Sequence, residues 1–245
     1  MKRLMIAAMA VAAGAAFAET TSITSANVVG FNTNANDAEE VQTFIGASFF
    51  TVGGDESLPL NALQCAEGFE DGDQIQTSFI VDGLIDFVAY DYDSFEGGWC
   101  LDGDLIDDSV TIGLGQGAWL ITSEPKHLVT AGQVKSDNKV RTLTEVQQVV
   151  CSLYPVPFCP NGANVSWNVE DGAQIQTSFI TEDGLIDFVA YDYDSFEGGW
   201  CLDGDLLDAD FAVVKPGEGF WLLFGDDFAD YDFTETSPLY VDSEK

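Results

Sequence analysis

Residues 74–105 read QIQTSFIVDGLIDFVAYDYDSFEGGWCLDGDL, and almost the same run returns at residues 174–206. The blocks 74–80 and 82–105 recur unchanged, with one residue inserted between them in the second copy. Flanking matches, such as residues 40–42 with 145–147, extend each copy to about 105 residues. This is the size of an ordinary domain rather than of a solenoid repeat, so the chain is predicted to hold two copies of one domain.

Each copy has the residue pattern of β-strands. Residues 74–80 and 84–92 are rich in β-branched and aromatic residues, and they flank Asp82-Gly83, a pair typical of tight hairpin turns. Residues 110–112 and 118–122 predict further strands on either side of a Gly-rich turn.

A helical period lasts at most about two turns anywhere after the N-terminal segment, at residues 39–45 and 143–150. We therefore predict an all-β fold, with two tandem homologous domains that are each a β-sandwich or a small barrel. The predicted boundaries are a signal peptide at 1–18, domain 1 at 19–132 and domain 2 at 133–245.

Residues 1–18 have the pattern of a secretory signal peptide. Lys2 and Arg3 precede an apolar run, which ends in an Ala-x-Ala cleavage site at residues 16–18. The apolar run is too short and too rich in Ala to span a bilayer well, and no second apolar segment is long enough. The mature protein is expected to be secreted, periplasmic or at the cell surface, with no transmembrane span.

The chain is strongly acidic, with 42 Asp and Glu against 8 Lys and Arg. Nucleic-acid binding requires cations that neutralise phosphates, and an anionic membrane would repel this protein, so neither is an expected partner. The 46% content of hydrophobic residues is that of folded domains rather than of a disordered acidic tail. Several of the few cations concentrate where the copies join and predict a basic patch between the domains: Lys126, His127, Lys135, Lys139 and Arg141.

Three short segments carry a resemblance to a known group of proteins. They are the apolar opening at residues 25–31, the segment 73–76 and the closing Pro-Gly-Glu-Gly-Phe-Trp block at 216–221. In these segments the chain resembles secreted tandem-repeat β-domain proteins of planctomycete- and verrucomicrobia-type bacteria. That family has no assigned enzymatic activity, so the resemblance implies an exported β-domain protein.

The five cysteines predict disulfide bonds, because export exposes the chain to an oxidising compartment. Cys100 and Cys201 occupy equivalent positions in the two copies. The preferred pairs are Cys65 with Cys100 and Cys159 with Cys201, each stabilising its domain by about 3–4 kcal/mol. Cys151 is then left over, either as a buried free thiol or paired with Cys159 or with another molecule.

The segments from Tyr90 to Asp104 and from Tyr191 to Asp205 are rich in Gly and carboxylates. Ca²⁺ prefers such hard oxygen ligands, although the spacing is not that of an EF-hand, and a solvated turn is the alternative. Ca²⁺ is the one cofactor that the sequence indicates. The candidate ligands are Asp91, Asp93, Glu96 and Asp102 in the first copy and Asp192, Asp194, Glu197 and Asp203 in the second.

The same segments place aromatic rings beside carboxylates, an arrangement that can stack on sugar rings and hydrogen-bond to them. The candidate ligand-binding residues are Tyr92, Trp99, Tyr193 and Trp200; the alternative is that these rings alternate between the core and the surface of a sheet.

The sequence predicts no enzyme. The many acids offer no distinct pair for glycoside hydrolysis, which stays open as a third hypothesis, and the single histidine, His127, lacks a nucleophile elbow. The favoured function is an exported, non-enzymatic protein of the cell envelope or extracellular matrix, structural or adhesive. Its expected partners are glycans or other envelope or matrix proteins, and a secreted carbohydrate- or calcium-binding module is the alternative.

Overall fold

The computed structural model describes residues 28–36, 41–48, 57–81, 84–124, 126–134, 139–143, 147–181, 186–224 and 231–236. Within these ranges the chain is built of strands, and the one helical element is a single 3₁₀ turn at Leu60–Ala62. The all-β prediction is confirmed. No helix in the described part of the chain is long and apolar enough to cross a bilayer. The predicted signal peptide at 1–18 lies outside the described residues.

The described strands of domain 1 come first in the chain. They are β1 (Val28–Asn36), β2 (Val41–Gly46), β3 (Ser57–Pro59), β4 (Gln64–Cys65), β5 (Gln74–Val81), β6 (Leu84–Asp93), β7 (Gly98–Leu101), β8 (Asp104–Leu105), β9 (Thr111–Gly113), β10 (Gly117–Thr122) and β11 (Lys126–Val134).

The described strands of domain 2 follow after a short connection. They are β12 (Lys139–Leu143), β13 (Gln147–Cys151), β14 (Val165–Asn168), β15 (Gln174–Ile180), β16 (Ile186–Asp194), β17 (Gly199–Leu202), β18 (Asp205–Leu206), β19 (Gly219–Leu223) and β20 (Tyr231–Glu235).

Both domains have the same sheet order. In domain 1 a six-stranded antiparallel sheet runs β2-β10-β5-β6-β7-β8, and a three-stranded sheet runs β1-β11-β4. Domain 2 repeats this with β13-β19-β15-β16-β17-β18 and β12-β20-β14. Strands β3 and β9 add a two-stranded sheet to domain 1. A large and a small sheet enclosing one core give each domain a sandwich-like architecture.

The repeated block lies at the centre of each large sheet. Strands β5 and β6 pair from Gln74↔Asp91 to Val81↔Leu84, the register expected when two residues connect them. The strands predicted at 74–80 and 84–92 are therefore confirmed, while the Asp82-Gly83 pair itself lies outside the described residues.

The two segments with a short helical period are strands instead. In their described residues, Val41–Gly46 forms the edge strand β2 and Gln147–Cys151 forms the edge strand β13, in agreement with the all-β prediction. Phe44 and the adjacent Ile45 are both buried, although they point to opposite faces of β2. A strand buried on both faces has a continuous apolar run, which sequence periodicity does not distinguish from a short helix.

Each domain has a core between its two sheets. In domain 1 Ile75 and Trp99 of the large sheet belong to one apolar cluster with Leu128 of the small sheet. In domain 2 Trp200 and Phe233 take part in the corresponding cluster. The large sheet of each domain contributes to this core with one face only. Its opposite face does not contact the core of its own domain.

The opposite faces of the two large sheets meet in a third cluster, which we call the seam. It joins Phe44 and Trp119 of domain 1 to Val149 of domain 2, with Phe87 and Trp221 packed against them. Phe87 stacks on Trp221 at a centroid distance of 6.4 Å. The equivalent pair lies edge to face, with Phe188 of domain 2 at 6.3 Å from Trp119 of domain 1. Equivalent residues thus make reciprocal contacts, as in an isologous dimer interface.

Backbone hydrogen bonds across the seam are reciprocal too. The amide of Gly46 donates to the carbonyl oxygen of Gly217 over 2.8 Å, and the amide of Cys151 donates to that of Gly115 over 2.9 Å. Gly46 and Cys151 are equivalent in the two copies, as are Gly115 and Gly217. The Gly-rich segment before each closing strand therefore binds the other domain, in addition to turning the chain.

Such close approach requires residues without side chains. A Cβ added to Gly117 would lie 2.7 Å from Cγ1 of Val149, and one added to Gly219 would lie 3.0 Å from the carbonyl oxygen of Ile45. A Cβ added to Gly46 would overlap the Cβ of Cys151 and lie 2.5 Å from its Sγ. Gly46 and Cys151 occupy equivalent positions and face each other across the seam. There is room for the Cys151 side chain only because residue 46 is a glycine.

The substitution Gly46→Ala should lower the free energy of unfolding by about 1–3 kcal/mol, because the new methyl group overpacks the seam. The double variant Gly46→Ala, Cys151→Gly exchanges the small and large residues, and it should recover most of that loss. Equilibrium unfolding in urea measures both. Unchanged stability of Gly46→Ala, or no recovery in the double variant, would contradict this account of the seam.

The predicted basic patch between the domains is wrong for Lys126 and His127, which pair with acids of domain 1. Lys126 is 1% exposed, and its Nζ lies 3.6 Å from Oδ2 of the fully buried Asp73. It also donates a 3.1 Å hydrogen bond to the carbonyl oxygen of Gly68. Lys135 lies outside the described residues, as do the side chains of Lys139 and Arg141.

The Lys126–Asp73 pair belongs to domain 1 alone, since Ala173 occupies the position of Asp73 in domain 2. Replacing Asp73 with Ala leaves the buried ammonium with only the largely exposed carboxylate of Glu70, at 3.6 Å, so we expect a loss of about 3 kcal/mol. The double variant Asp73→Ala, Lys126→Met removes both charges and should be closer to the parent protein. Urea unfolding of the three proteins tests this, and equal stability of the single and double variants would argue against it.

None of the five cysteines, all of which lie in the described residues, forms a disulfide, so the predicted Cys65–Cys100 and Cys159–Cys201 disulfides are wrong. Cys100 pairs with the exposed Asp91 across β6 and β7, whereas the adjacent Trp99 points into the core. Cys65 instead lies opposite the buried Leu128 in the small sheet. Cys100 and Cys65 therefore belong to different sheets, and Cys100, although buried, lies on the face of β7 opposite to that of Trp99.

Cys151 is closest to one of the alternatives left open for it, because its thiol is buried and forms no disulfide with another cysteine of the chain. Its Sγ donates a 3.4 Å hydrogen bond to the carbonyl oxygen of Gln116. The thiol thus takes part in the seam between the domains.

Candidate functional site

The carboxylates of the repeated hairpin hold its turn in place. Oδ1 of Asp93 accepts hydrogen bonds from the amides of Phe95 at 2.8 Å and Glu96 at 3.1 Å. Asp71, from the loop before β5, accepts the amide of Ser94 at 2.7 Å and its hydroxyl at 3.0 Å. The same bonds recur in domain 2. Asp194 accepts the amides of Phe196 and Glu197, and Asp171 accepts the amide and the hydroxyl of Ser195.

The other predicted calcium ligands also have local roles. Asp91 accepts a 2.7 Å hydrogen bond from Nε2 of Gln74 on the neighbouring strand. Asp102 has a φ of 54° and precedes Gly103 at 88°, the pattern of a type I′ turn between β7 and β8. Asp203 repeats this left-handed conformation, with a φ of 53°.

The predicted ligands do not converge on one point. Among the described residues, no group of three or more His, Cys, Asp or Glu side chains is placed to hold a metal ion. This applies to Asp91, Asp93, Glu96 and Asp102 and to Asp192, Asp194, Glu197 and Asp203. Turn formation and strand pairing account for the bonds of these carboxylates that the structure shows.

One thiol, one carboxylate and the only histidine of the chain meet on the small sheet of domain 1. Glu67 accepts the amide of His127 at 2.7 Å and hydrogen-bonds with its Nδ1 at 2.6 Å, which lowers the pKa of Glu67 to about 2. The thiol of Cys65 donates to the same carboxylate over 3.3 Å.

The order of these three groups is not that of a nucleophilic site. The carboxylate of Glu67 hydrogen-bonds to both other groups, whereas a catalytic thiol needs the imidazole as its direct partner. Burial also raises the pKa of Cys65, which keeps its thiol protonated. In the repeated hairpins, burial raises the pKa of Cys100 and of Cys201, and the surrounding carboxylates add to that rise.

Two of the four predicted ligand-binding aromatics are core residues. Trp99 is 1% exposed and Trp200 is fully buried, so neither offers a ring face to a ligand. Tyr92 and Tyr193 are half-buried and pack edge-on against these tryptophans at 5.4 and 5.5 Å. The prediction of a sugar-stacking surface is therefore wrong for the two tryptophans, and the two tyrosines lie beside equivalent grooves.

The two grooves differ in size. The domain 2 groove has a volume of about 560 Å³, and Trp167, Tyr193 and Leu206 line it together with the polar residues Asn161, Ser166 and Asp208. The domain 1 groove has a volume of about 190 Å³. Its lining includes Asn61, Phe69, Tyr92 and Leu105.

An asparagine anchors the wall of the domain 2 groove. Nδ2 of Asn161 donates to the carbonyl oxygens of Trp200 at 2.9 Å and Leu207 at 3.0 Å, and its Oδ1 accepts the amide of Trp200 at 2.9 Å. Gly199 leaves the space for this bridge, since a Cβ there would lie 2.6 Å from the Asn161 Oδ1. The groove thus has a fixed polar wall before any ligand enters.

Trp167 supplies the aromatic wall, and it was not among the residues predicted from the sequence. Its ring stacks on Phe233 at 4.8 Å, and its Nε1 donates a 2.8 Å hydrogen bond to the carbonyl oxygen of Pro160. Residue 167 lies on β14, outside the block that is identical in the two copies. The repeated block, from which the candidate residues were predicted, does not include it. A tryptophan flanked by the polar residues Ser166 and Asn168 is a sequence pattern that could have indicated a binding residue.

Comparisons of the chain with protein-family models, with curated proteins and with solved structures give no match. The resemblance to secreted tandem-repeat β-domain proteins accordingly stays a prediction. Function has to be inferred from the chemistry of the site, because a sandwich-like fold serves many unrelated activities.

The hairpin turn of domain 1 should loosen in acid. The hydrogen bonds from Ser94 lower the pKa of Asp71 below its ordinary value of 3.8. A lowered pKa in the folded state means that the stabilisation is complete above about pH 4 and is lost as the pH falls through the shifted value. Amide hydrogen exchange of Ser94 should therefore show falling protection below pH 4.

The variant Asp71→Asn separates titration from hydrogen bonding, because its amide oxygen still accepts but does not ionise. Its Ser94 amide should lose the acid-dependent change in protection. If the parent protein and this variant respond equally to acid, Asp71 is not the group that titrates.

Proposed function

We propose that the protein is an exported, non-enzymatic component of the cell envelope or extracellular matrix that adheres to glycans through its domain 2 groove. The observation that carries this proposal is the groove itself. Its wall combines the rings of Trp167 and Tyr193 with the Ser166 hydroxyl and the Asp208 carboxylate, while Asn161 fixes the backbone beside them.

This combination suits a sugar. The apolar face of a pyranose ring packs on an aromatic ring, while its hydroxyl groups need donors and acceptors around the edge. A volume of about 560 Å³ falls within the usual range of small-ligand sites. Trp167 is held by its stacking on Phe233, so its position needs little ordering when a ligand binds.

The acidic groups of the domain 2 groove are consistent with binding a glycan without hydrolysing it. Glycoside hydrolases use a pair of carboxyl groups on the two sides of the scissile bond. Among the described residues that line the domain 2 groove, Asp208 is the one acid. It can orient a sugar hydroxyl as a hydrogen-bond acceptor.

The remaining features support a structural or adhesive setting. The signal-peptide pattern predicts export, and a formal charge of −34 favours a hydrated surface that resists non-specific association. The seam joins the two domains through aromatic contacts and backbone hydrogen bonds, which suits a load-bearing or matrix component.

Equivalent leucines at the two grooves provide a matched test. Leu206 and Leu105 are about half-exposed, at 49% and 51%, and each lines the groove of its own domain. The variant Leu206→Trp should fill the domain 2 groove and weaken glycan binding at least about tenfold, equivalent to about 1.4 kcal/mol. The variant Leu105→Trp should bind like the parent protein.

A glycan array identifies the ligand, and titration calorimetry with that glycan measures both variants, after circular dichroism confirms that each is folded. No binding by the parent protein to any glycan would refute the proposed function. Equal weakening by both substitutions would show that the domain 2 groove is not the site.

A further inference from the structure

Two phenylalanines stand in solvent at the ends of the repeated hairpins. Phe95 is 92% exposed and Phe196 is 91% exposed, more than any other large hydrophobic side chain in the described residues. We call these two residues the Phe tips. Exposure of such a ring loses the favourable free energy of apolar burial, although both domains have cores rich in aromatic residues.

The exposure of the Phe tips does not arise from a loose loop. The Phe95 amide donates to Oδ1 of Asp93 over 2.8 Å, and the Gly97 amide donates to the Asp93 carbonyl oxygen over the same distance. The neighbouring Ser94 is bound through its amide and its hydroxyl to Asp71. The hairpin therefore holds the backbone under the ring and presents the ring outward.

The surroundings of each ring are acidic. Asp93 and Glu96 flank Phe95 in the turn. The exposed Asp91 lies on β6 before this turn, and the exposed Asp102 and Asp104 lie in the turn after β7 and on β8. In domain 2 the positions equivalent to these five carry the same acids. An anionic lipid surface or a nucleic acid would be repelled, whereas a surface rich in Lys and Arg would be attracted.

We propose that the two Phe tips form a bivalent docking site for a basic protein surface that carries apolar pockets. The ring supplies the apolar anchor, and the carboxylates around it supply complementary charge. The seam holds both tips on one folded unit, so a partner that reaches both tips gains affinity from the second contact. This inference goes beyond the proposed glycan adhesion and does not depend on the domain 2 groove.

Two synthetic polymers act as defined probes. Poly-L-lysine offers positive charge alone, whereas a random copolymer of lysine and phenylalanine with matched charge also offers apolar contacts. We expect the protein, immobilised for biolayer interferometry at 0.15 M salt, to bind the copolymer at least about tenfold more tightly than poly-L-lysine. The double variant Phe95→Ser, Phe196→Ser should lose this preference, and each single variant should keep an intermediate preference.

The double variant Phe95→Leu, Phe196→Leu is the matched control, since it keeps apolar tips in the same turns and should retain most of the preference. Both positions are exposed, so all variants should have the circular dichroism spectrum of the parent protein. The proposal is overturned if the parent protein shows no preference or if the Ser variant keeps it. Tip-dependent binding to phosphatidylcholine vesicles that exceeds binding to the copolymer would also overturn it, in favour of a lipid surface.

Discussion

The packing of the two large sheets against each other determines how the rest of the protein is arranged. Each large sheet has apolar residues on both faces, and one face covers the core of its own domain. The other face carries Phe87 in domain 1 and Phe188 in domain 2. Each of these rings contacts a tryptophan of the opposite domain, Phe87 contacting Trp221 and Phe188 contacting Trp119. An isolated copy would expose this aromatic surface to water, which is unfavourable in proportion to its area. Packing against the second copy leaves Phe44 and Trp119 nearly fully buried, whereas Phe188 stays partly exposed, so duplication and fold stability are linked.

The same constraint explains which parts of the fold could be predicted from sequence. Strands β5 and β6 were predictable, because an Asp-Gly pair separates two runs rich in β-branched and aromatic residues. Strands β2 and β13 were not, because they pack on a domain core with one face and on the seam with the other. The Gly-rich segments at 115–117 and 217–219 have a turn pattern, and nothing local in that pattern shows that they also bind the opposite domain.

The candidate site was only partly predictable for a related reason. Tyr92 and Tyr193 were predicted to bind a ligand and do lie beside grooves, whereas Trp99 and Trp200 are buried. Composition cannot tell which of two adjacent aromatic residues faces inward, since this depends on strand register. The predicted calcium ligand Asp93 accepts two amide hydrogens of its own turn. A carboxylate in that role has the same local sequence as a calcium ligand, so the sequence alone does not separate the two.

The difference between the two grooves shows where the copies have diverged. Identical hairpins contribute Tyr92 or Tyr193 to each groove, so the unequal volumes must come from the segments that differ. In domain 1 the two-residue strand β4 places Cys65 opposite Leu128, and Phe69 covers Trp99 at 4.8 Å. In domain 2 the longer β14 places Trp167 opposite Phe233, and this ring covers Trp200 at 4.9 Å. The ring that covers the buried tryptophan lies in a loop in domain 1 and on a strand in domain 2. The groove volume is about three times larger in domain 2. The shared block can therefore maintain the sheet and the seam, while the variable segment gives domain 2 the larger of the two grooves.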